Sequence, residues 1–290
     1  MKQHILGISR APQFSPNSEG RDAAIFAALT SRLERKGYAV DIISEDLVTE
    51  VDLADYDLVF SMARGRNVLS ILSQAEQSGL PVINAATRLL QLSRGSLIQL
   101  LQQHDLPLPH IQLCELTSSQ IITPRIAYPF WVKRVDACAQ QKGDVSFVNG
   151  EAEYQAVIKR FRESNIASYV IEQHIEGDLV KFYGVEGTAF FHVSYPTESA
   201  NGFSKFGLEQ ANGQPSHFNF NESALKQTAD EAAQLTGMTV YGGDAIITST
   251  GQFRIIDFND WPSFSPCRRE AAKAIAERIG HIFNSLQPIC

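Results

Sequence analysis

Two aspartates and an asparagine near the end of the sequence have the spacing of a metal site. Asp244 and Asp257 lie in two apolar runs separated by residues 248–252, a polar segment that should turn a hairpin. If the loop of that hairpin has four residues, Asp244 stands opposite Asp257 on the neighbouring strand. Asn259 follows Asp257 by two positions, and side chains two apart on a strand point to the same face. The pattern therefore gathers three oxygen-bearing side chains on one surface.

Such a surface favours a hard divalent cation. Two facing carboxylates repel each other and would weaken a sheet, and a bound cation removes that penalty. Because the side chains offer oxygen ligands only, we expect Mg²⁺, with Mn²⁺ as the alternative ion; Mg²⁺ takes few protein ligands and completes its shell with water and phosphates. The other interpretation is that one aspartate is solvated and the other caps a turn. These three residues alone leave both interpretations open.

The elements that position these residues belong to an α+β region. Two prolines, Pro107 and Pro109, mark its beginning. Several of its apolar runs are joined by tight turns, which indicates antiparallel pairing. The predicted strands are 130–135, 145–148, 169–175, 179–185, 189–195, 239–247 and 253–259. The predicted helices are 152–161, 221–235 and a last helix with Ser265 as its N-cap and Pro266 at its first position.

The first hundred residues have a different rhythm. Short apolar runs alternate with helical patterns, which predicts a parallel sheet with helices on its faces. The predicted strands are 4–9, 38–44, 56–61 and 80–83, and the predicted helices are 21–36, 68–78 and 93–104. No G-x-G-x-x-G follows any of these strands, so nothing indicates a dinucleotide site.

Parallel sheets bind ligands at the carboxyl ends of their strands. Arg64 and Arg66 follow the third predicted strand and are candidates for holding a substrate carboxylate, because the guanidinium fork fits that group. The alternative is that both are surface arginines at the start of a helix. Lys205, in the polar stretch 197–214, is a further substrate candidate.

From the two prolines onward the sequence resembles the ATP-grasp superfamily, and the part before them matches it loosely. The most specific likeness is the acidic pattern: Asp244 is followed 13 positions later by Asp257 and then by Asn259. Relatives carry an acidic pair and an asparagine in this arrangement, more often with glutamate at the second position. The resemblance implies that these three residues bind the Mg²⁺ that accompanies ATP.

Three further segments carry the likeness. Residues 129–133, PFWVK, resemble the strand whose lysine, here Lys133, reaches the nucleotide phosphates. Residues 169–178, YVIEQHIEGD, resemble the strand and turn that hold adenine and ribose. Residues 179–185, LVKFYGV, place Lys181 like the basic residue of glutamate ligases and inositol phosphate kinases of this fold.

The resemblance also implies which residues hold ATP. Arg94 stands where relatives usually carry a lysine that meets the phosphates, and Arg94 and Lys181 are the predicted catalytic residues. ATP brings about four negative charges, which these two residues and Lys133 would balance together with Mg²⁺. Glu172 can accept a hydrogen bond from the exocyclic amine of adenine, and Asp178 can accept hydrogen bonds from the ribose hydroxyls. The whole predicted nucleotide-binding set is Lys133, Lys142, Glu172, Gln173, His174, Ile175 and Asp178.

The implied reaction is ADP-forming ligation of a carboxylate to an amine. The substrate carboxylate would attack the γ-phosphorus of ATP, and the amine would capture the resulting acyl phosphate. The implied architecture is an α/β parallel-sheet domain at 1–106, followed by α+β ATP-grasp subdomains at 107–187 and 188–290. A homodimer is common among relatives.

Two other functions fit the same resemblance. A kinase of this fold would use a polyol hydroxyl in place of the carboxylate, and the segment around Lys181 looks as much like those kinases as like the ligases. A nucleotide-binding regulator would keep the site without turnover. Its support is the loop 134–143, which has a single glycine and so lets its backbone approach phosphate less freely.

The composition limits the partners. With 44% hydrophobic and 20% charged residues, the chain reads as an ordinary globular protein. Its formal net charge of −7 and pI near 5.5 disfavour nucleic acid as a partner. No apolar run reaches the roughly 18 residues of a membrane span. The four cysteines are scattered without a CxxC pair, which fits a reduced cytoplasmic protein and gives no zinc site.

Overall fold

The computed structural model describes residues 2–15, 18–116, 122–135, 143–196, 198 and 211–286. These residues form three four-stranded sheets. The first sheet is made by the N-terminal part of the chain, the second by the middle and the third by the C-terminal part, and helices pack against all three.

The first sheet is parallel. Its elements in chain order are β1 (His4–Ser9), α1 (Glu19–Arg35), β2 (Ala39–Ser44), β3 (Leu58–Ser61), α2 (Arg66–Gln77) and β4 (Val82–Ile83). The strand order is β2-β1-β3-β4, and every neighbouring pair is parallel. Short 3₁₀ helices lie at Pro12–Phe14, Glu45–Glu50 and Leu53–Asp55. The predicted α/β region is therefore confirmed.

Two helices lead to the second sheet. The sequence did not predict the first, α3 (Ala86–Leu89), whereas α4 (Arg94–Gln103) is close to its prediction. A reciprocal cap fixes the start of α4, since the Ser93 hydroxyl accepts from the Ser96 amide at 3.2 Å and the Ser96 hydroxyl accepts from the Ser93 amide at 2.8 Å. This cap places Arg94 at the first position of the helix.

The second sheet is antiparallel. Its strands are β5 (Ile111–Glu115), β6 (Phe130–Arg134), β7 (Val145–Val148) and β8 (Ser168–Gln173), in the order β5-β8-β6-β7. Helix α5 (Glu151–Glu163) connects β7 to β8. Strand β5 was not predicted. It lies at the edge of the sheet and mixes exposed with buried side chains, so it lacks the apolar run that marks the other strands.

The third sheet is also antiparallel. Its elements are β9 (Asp178–Val185), β10 (Phe191–Ser194), α6 (Glu222–Thr236), β11 (Val240–Ile247), β12 (Phe253–Asp260) and α7 (Arg268–Leu286). The strand order is β10-β9-β11-β12. Together the second and third sheets confirm the predicted α+β region.

Strand β9 pairs with β10 and β11, so we propose to divide the second region from the third between β8 and β9 rather than at the expected 187/188 boundary. One prediction about this part of the chain needs correction. The last helix begins at Arg268 rather than at Pro266. A turn comes first, in which the Cys267 amide donates to the Phe264 carbonyl at 3.0 Å and Phe264 has a φ of 50°.

The core joins the two ends of the chain. Apolar side chains of α7, such as Ile275 and Ile279, are buried together with Leu29 and Leu33 of α1 and with Phe60 of β3. Helix α6 covers one face of the third sheet, and α5 covers one face of the second. Among the described residues, no helix has both the length and the apolar character that crossing a bilayer requires.

Candidate active site

A cavity of about 370 Å³ is lined by residues from all three regions. Each antiparallel sheet buries one face against a helix and turns polar side chains of its other face toward this cavity. We call the second- and third-sheet side the sheet wall; its polar residues are Lys133, Glu172, Lys181, Asp244, Asp257 and Asn259. We call the side built by the first region, with the end of β12, the N-terminal wall; its charged residues are Arg10, Asp22, Arg64 and Asp260.

The predicted pairing of Asp244 with Asp257 is present, but a β-bulge produces it. Ile247 pairs with Phe253, so the hairpin loop has five residues rather than four. A regular ladder would then put Asp244 opposite Ile256. The register shifts between Asp244 and Ala245, which leaves Ile256 as the extra residue and brings Asp257 opposite Asp244.

Lys181 continues this row onto the next strand. It is the register partner of Asp244 on β9, and its Nζ lies 3.1 Å from Oδ1 and 3.4 Å from Oδ2 of that carboxylate. The two side chains are 21% and 26% exposed. A cation and two carboxylates thus lie side by side across three strands, so the repulsion between the carboxylates is partly offset within the protein.

Asp257 is kept ionised by its surroundings. Burial alone would raise its pKa, but the positive charges of Arg94 and Lys133 and a hydrogen bond from Asn259 outweigh this effect and hold the pKa below its usual value. The Asn259 amide nitrogen donates to Asp257 Oδ2 at 3.1 Å. The carboxylate is therefore available to a metal ion at neutral pH.

Lys133 and Glu172 form a buried ion pair beside this row. Lys133 Nζ lies 2.6 Å from Glu172 Oε1 and also donates to the Ile256 carbonyl at 3.1 Å. That carbonyl belongs to the bulge residue, so the interruption of the ladder coincides with a contact between the second and third sheets. Burial raises the pKa of Glu172, and the Lys133 ammonium works against that shift.

Arg94 reaches the same place from α4. Its Nη1 donates to the Arg134 carbonyl at 3.1 Å, and the residue lines the cavity. Gly95 permits the close approach of α4 to the end of β6, because a Cβ at that position would lie 2.5 Å from Val135 Cγ1. The start of α4 thereby adds a third cation to those of Lys133 and Lys181.

The N-terminal wall contains charged residues that sequence reasoning did not select. Arg10 donates to the Met62 carbonyl, to Asp22 Oδ2 and to the Trp261 carbonyl, each at 3.1 Å. Asp260 accepts from Arg64 Nη2 at 2.6 Å. The position of Arg10 at the end of β1 was a signal for it, whereas nothing in the sequence pointed to Asp22, which lies in α1.

The remaining predicted residues lie elsewhere or have other partners. Gln173 accepts from the His110 amide at 3.3 Å, and His174 Nδ1 lies 3.3 Å from Trp131 Nε1; neither residue lines the cavity. Ile175, just beyond β8, does not line it either. Arg66 is exposed at the start of α2. Lys142 and Lys205 lie outside the described residues.

Asp178 is occupied by backbone groups. Its Oδ1 accepts from the Ser216 amide at 2.6 Å and its Oδ2 accepts from the Phe218 amide at 2.8 Å, and the side chain is buried. Both oxygens therefore hold the segment that leads to α6. This arrangement gives Asp178 a structural role, and the buried side chain does not line the cavity, so we do not include it in the candidate site.

The donor set of the sheet wall fits magnesium better than a softer ion. Within the described residues no group of three His, Cys, Asp or Glu side chains is placed to hold a metal. Asp244 and Asp257, with the amide of Asn259, offer oxygen ligands from three positions of one hairpin. Mg²⁺ needs few such ligands when phosphates and water supply the rest.

Sequence comparisons find no relative. No protein-family model matches the chain, and no curated protein matches it.

Solved structures do match over almost the whole chain. D-alanine–D-alanine ligase from Bacillus anthracis complexed with ATP superposes with a TM-score of 0.67 at 11% identity, covering 98% of this chain and all of that one. A RimK domain ATP-grasp protein from Sphaerobacter thermophilus gives 0.60 at 15% identity and covers 94% and 98% of the two chains. The VanG D-Ala:D-Ser ligase from Enterococcus faecalis gives 0.64 at 14% identity, with 97% and 99% covered. The chain has the ATP-grasp fold.

Proposed function

We propose that this protein is an ATP-dependent, ADP-forming ligase that joins a carboxylate to an amine. The observation that carries the proposal is the row Lys181–Asp244–Asp257, which faces the same cavity as the buried Lys133–Glu172 pair. The row combines metal-binding oxygens with cations for phosphates. The fold shared with D-alanine–D-alanine and D-Ala:D-Ser ligases supports ligation over other uses of ATP.

Asp244, Asp257 and Asn259 would hold Mg²⁺. The ion would neutralise phosphate charge and make the γ-phosphorus easier to attack. Asp257 is the central ligand in this proposal, because its pKa is held low and it contacts Asn259 directly.

The cations of the cavity would hold the triphosphate. Arg94, Lys133 and Lys181 enter from α4, β6 and β9, so they can surround an anion from three sides. Phosphoryl transfer depends mainly on position and on charge neutralisation, and it requires no nucleophilic side chain from the protein. A substrate carboxylate brought in line with the γ-phosphorus would form an acyl phosphate, and attack by the amine would then release inorganic phosphate.

The adenine would lie just beyond the end of β8. Backbone groups of His174 and Ile175, which follow the last paired residue of that strand, are the proposed partners of the base. The Gln173 amide already donates to the His110 carbonyl at 2.9 Å, so we do not assign it to the base. The Glu172 side chain is already paired with Lys133, so we propose that it orients the lysine rather than the base.

The carboxylate substrate would approach from the N-terminal wall. Arg64 lines the cavity and is 23% exposed, which makes it the better of the two predicted arginines. Arg66 is exposed to solvent on α2, so we do not assign it to the substrate.

One experiment tests the proposal. The protein is incubated with Mg·ATP and pools of amino acids, peptides, amines and polyols, and the nucleotide and any new amide or phosphate ester are identified by mass spectrometry. ADP formed only when an acid and an amine are both present supports the ligase. ADP formed with a polyol alone would contradict the ligase and support the kinase. ATP binding without ADP formation in any pool would contradict both enzymes and support a nucleotide-binding regulator.

A further inference from the structure

The three cations around the sheet wall are held in different ways. Lys133 is bound to Glu172 and to a backbone carbonyl, and Arg94 donates to the Arg134 carbonyl. Lys181 is instead bound to Asp244, which is one of the two proposed metal-binding carboxylates. The same carboxylate therefore has two competing partners, an ammonium group and a metal ion.

The geometry makes this competition direct. Lys181 Nζ is within 3.4 Å of both oxygens of Asp244, and the two residues are register partners on adjacent strands. A divalent ion that binds Asp244 must displace the ammonium or share the carboxylate with it at close range, which costs free energy through like-charge repulsion. The displaced ammonium would lose its contact with Asp244 in a half-buried place, and the neighbouring carboxylate of Asp257 would itself be engaged by the metal.

A triphosphate changes this balance. Its oxygens would give Lys181 a new anionic partner in the same cavity, so the ammonium could leave Asp244 without losing its ion pair. The free energy of breaking the Lys181–Asp244 pair would then be offset when nucleotide and metal bind together, and not when the metal binds alone. By linkage, each ligand must raise the affinity for the other by the same factor.

We propose that Lys181 couples the two ligands, keeping free divalent ions out of the site and admitting them with the nucleotide. This inference rests on the proposed function, since it uses the same metal ligands. Lys181 thus controls whether the metal can bind and also contacts the phosphates.

Mn²⁺ titrations followed by electron paramagnetic resonance of the free ion test the proposal on the whole chain, with and without a nonhydrolysable ATP analogue. We expect wild-type protein to bind Mn²⁺ weakly alone and tightly with the analogue. Lys181→Gln should bind Mn²⁺ alone about tenfold tighter than wild type and gain far less when the analogue is added. Lys181→Arg, which keeps the charge, should behave like wild type.

The matched control is Lys226→Gln. Lys226 and Asp230 form another Lys–Asp pair, 24% and 22% exposed, on α6 and outside the cavity wall. The substitution Lys226→Gln should leave Mn²⁺ binding unchanged.

Two results would overturn the inference, and they are distinguishable. If wild type binds Mn²⁺ with the analogue but Lys181→Gln binds free Mn²⁺ no tighter than wild type, the coupling role alone is lost. If wild type binds no Mn²⁺ even with the analogue present, the metal assignment of the proposed function is lost, and the coupling role with it.

Discussion

The two walls of the cavity arrange charge by different means. In the sheet wall the charged side chains lie on hydrogen-bonded strands, and their spacing is the spacing of the ladder. In the N-terminal wall they come from strand ends and from a helix, and backbone carbonyls hold Arg10 in place. The sheet wall is therefore a regular surface adjusted by one bulge, whereas the N-terminal wall depends on loops.

Both walls are balanced in charge. Around the sheet wall the cations Arg94, Lys133 and Lys181 match the carboxylates Glu172, Asp244 and Asp257. In the N-terminal wall Arg10 and Arg64 match Asp22 and Asp260. Among the described residues the cations and carboxylates that line the cavity are equal in number, so a triphosphate that binds Lys133 or Lys181 would have to exchange partners with an existing ion pair. The following substitutions test whether the walls have separate roles, nucleotide and metal for one and substrate for the other.

Asp257→Asn should give the largest effect. It removes the charge that the proposed metal site needs while keeping the shape of the side chain, so we expect turnover to fall about a thousandfold. Circular dichroism and the thermal midpoint should stay near wild type. Turnover at the wild-type rate would contradict the proposal that Asp257 binds the metal and that the sheet wall holds the metal and nucleotide.

Lys133→Met should destabilise the fold by about 3–5 kcal/mol, because it leaves Glu172 buried without its cation. Urea unfolding measures this loss. The double variant Lys133→Met, Glu172→Leu should recover most of the stability, since no buried charge remains, yet it should still bind ATP poorly in calorimetry. Recovery of ATP binding in the double variant would contradict a phosphate role for Lys133.

The stability of the single variant Lys133→Met, measured as its free energy of unfolding, should depend on pH. The pKa of Glu172 is already raised by burial, and loss of Lys133 removes a group that lowers it. A carboxyl whose folded pKa is raised favours folding when protonated, and this contribution is lost as pH rises through the folded value. The deficit of Lys133→Met against wild type should therefore shrink from about pH 8 to about pH 5.

Arg64→Ala should raise the KM for the carboxylate substrate about tenfold to a hundredfold and leave the Kd for ATP within about twofold, if the N-terminal wall binds substrate. Steady-state kinetics and calorimetry separate the two constants. Arg66→Ala, the exposed neighbour on α2, is the control and should change neither. If Arg64→Ala lost ATP affinity and substrate affinity equally, the two walls would not have the separate roles proposed here.

Asp178→Asn should give the smallest effect on ligands. It replaces an acceptor of two backbone amides with a group that can satisfy one of them, which should cost about 1–2 kcal/mol of stability. The Kd for ATP should change by less than about threefold. A much larger loss of ATP affinity, at unchanged stability, would restore Asp178 to the nucleotide site.

The sequence predicted the sheet wall better than the N-terminal wall for a physical reason. Alternation along strands fixes which side chains share a face, so Asp257 and Asn259 could be grouped from their spacing. The bulge at Ile256 left no such trace, and the pairing of Asp244 with Asp257 was predicted with a loop one residue too short.

Residues brought together by tertiary packing had weaker signals. Asp22 lies on a helix whose polar positions look alike in sequence, and its contact with Arg10 depends on how α1 sits on the sheet. Asp178 had the right residue type at the right turn, but its carboxylate accepts from backbone amides 38 and 40 positions later in the chain. Strand β5 was missed because it alternates little between buried and exposed side chains and so has no apolar pattern in sequence.

The packing of α7 against α1 has a consequence for how the chain is made. Ribosomes synthesise the first sheet and α1 long before α7, yet the buried side chains of α7 complete the core of that first region. Until the last helix emerges, apolar residues such as Leu29 and Leu33 lack part of their cover. The core of the N-terminal region can therefore be completed only after α7 has been synthesised and has packed against α1.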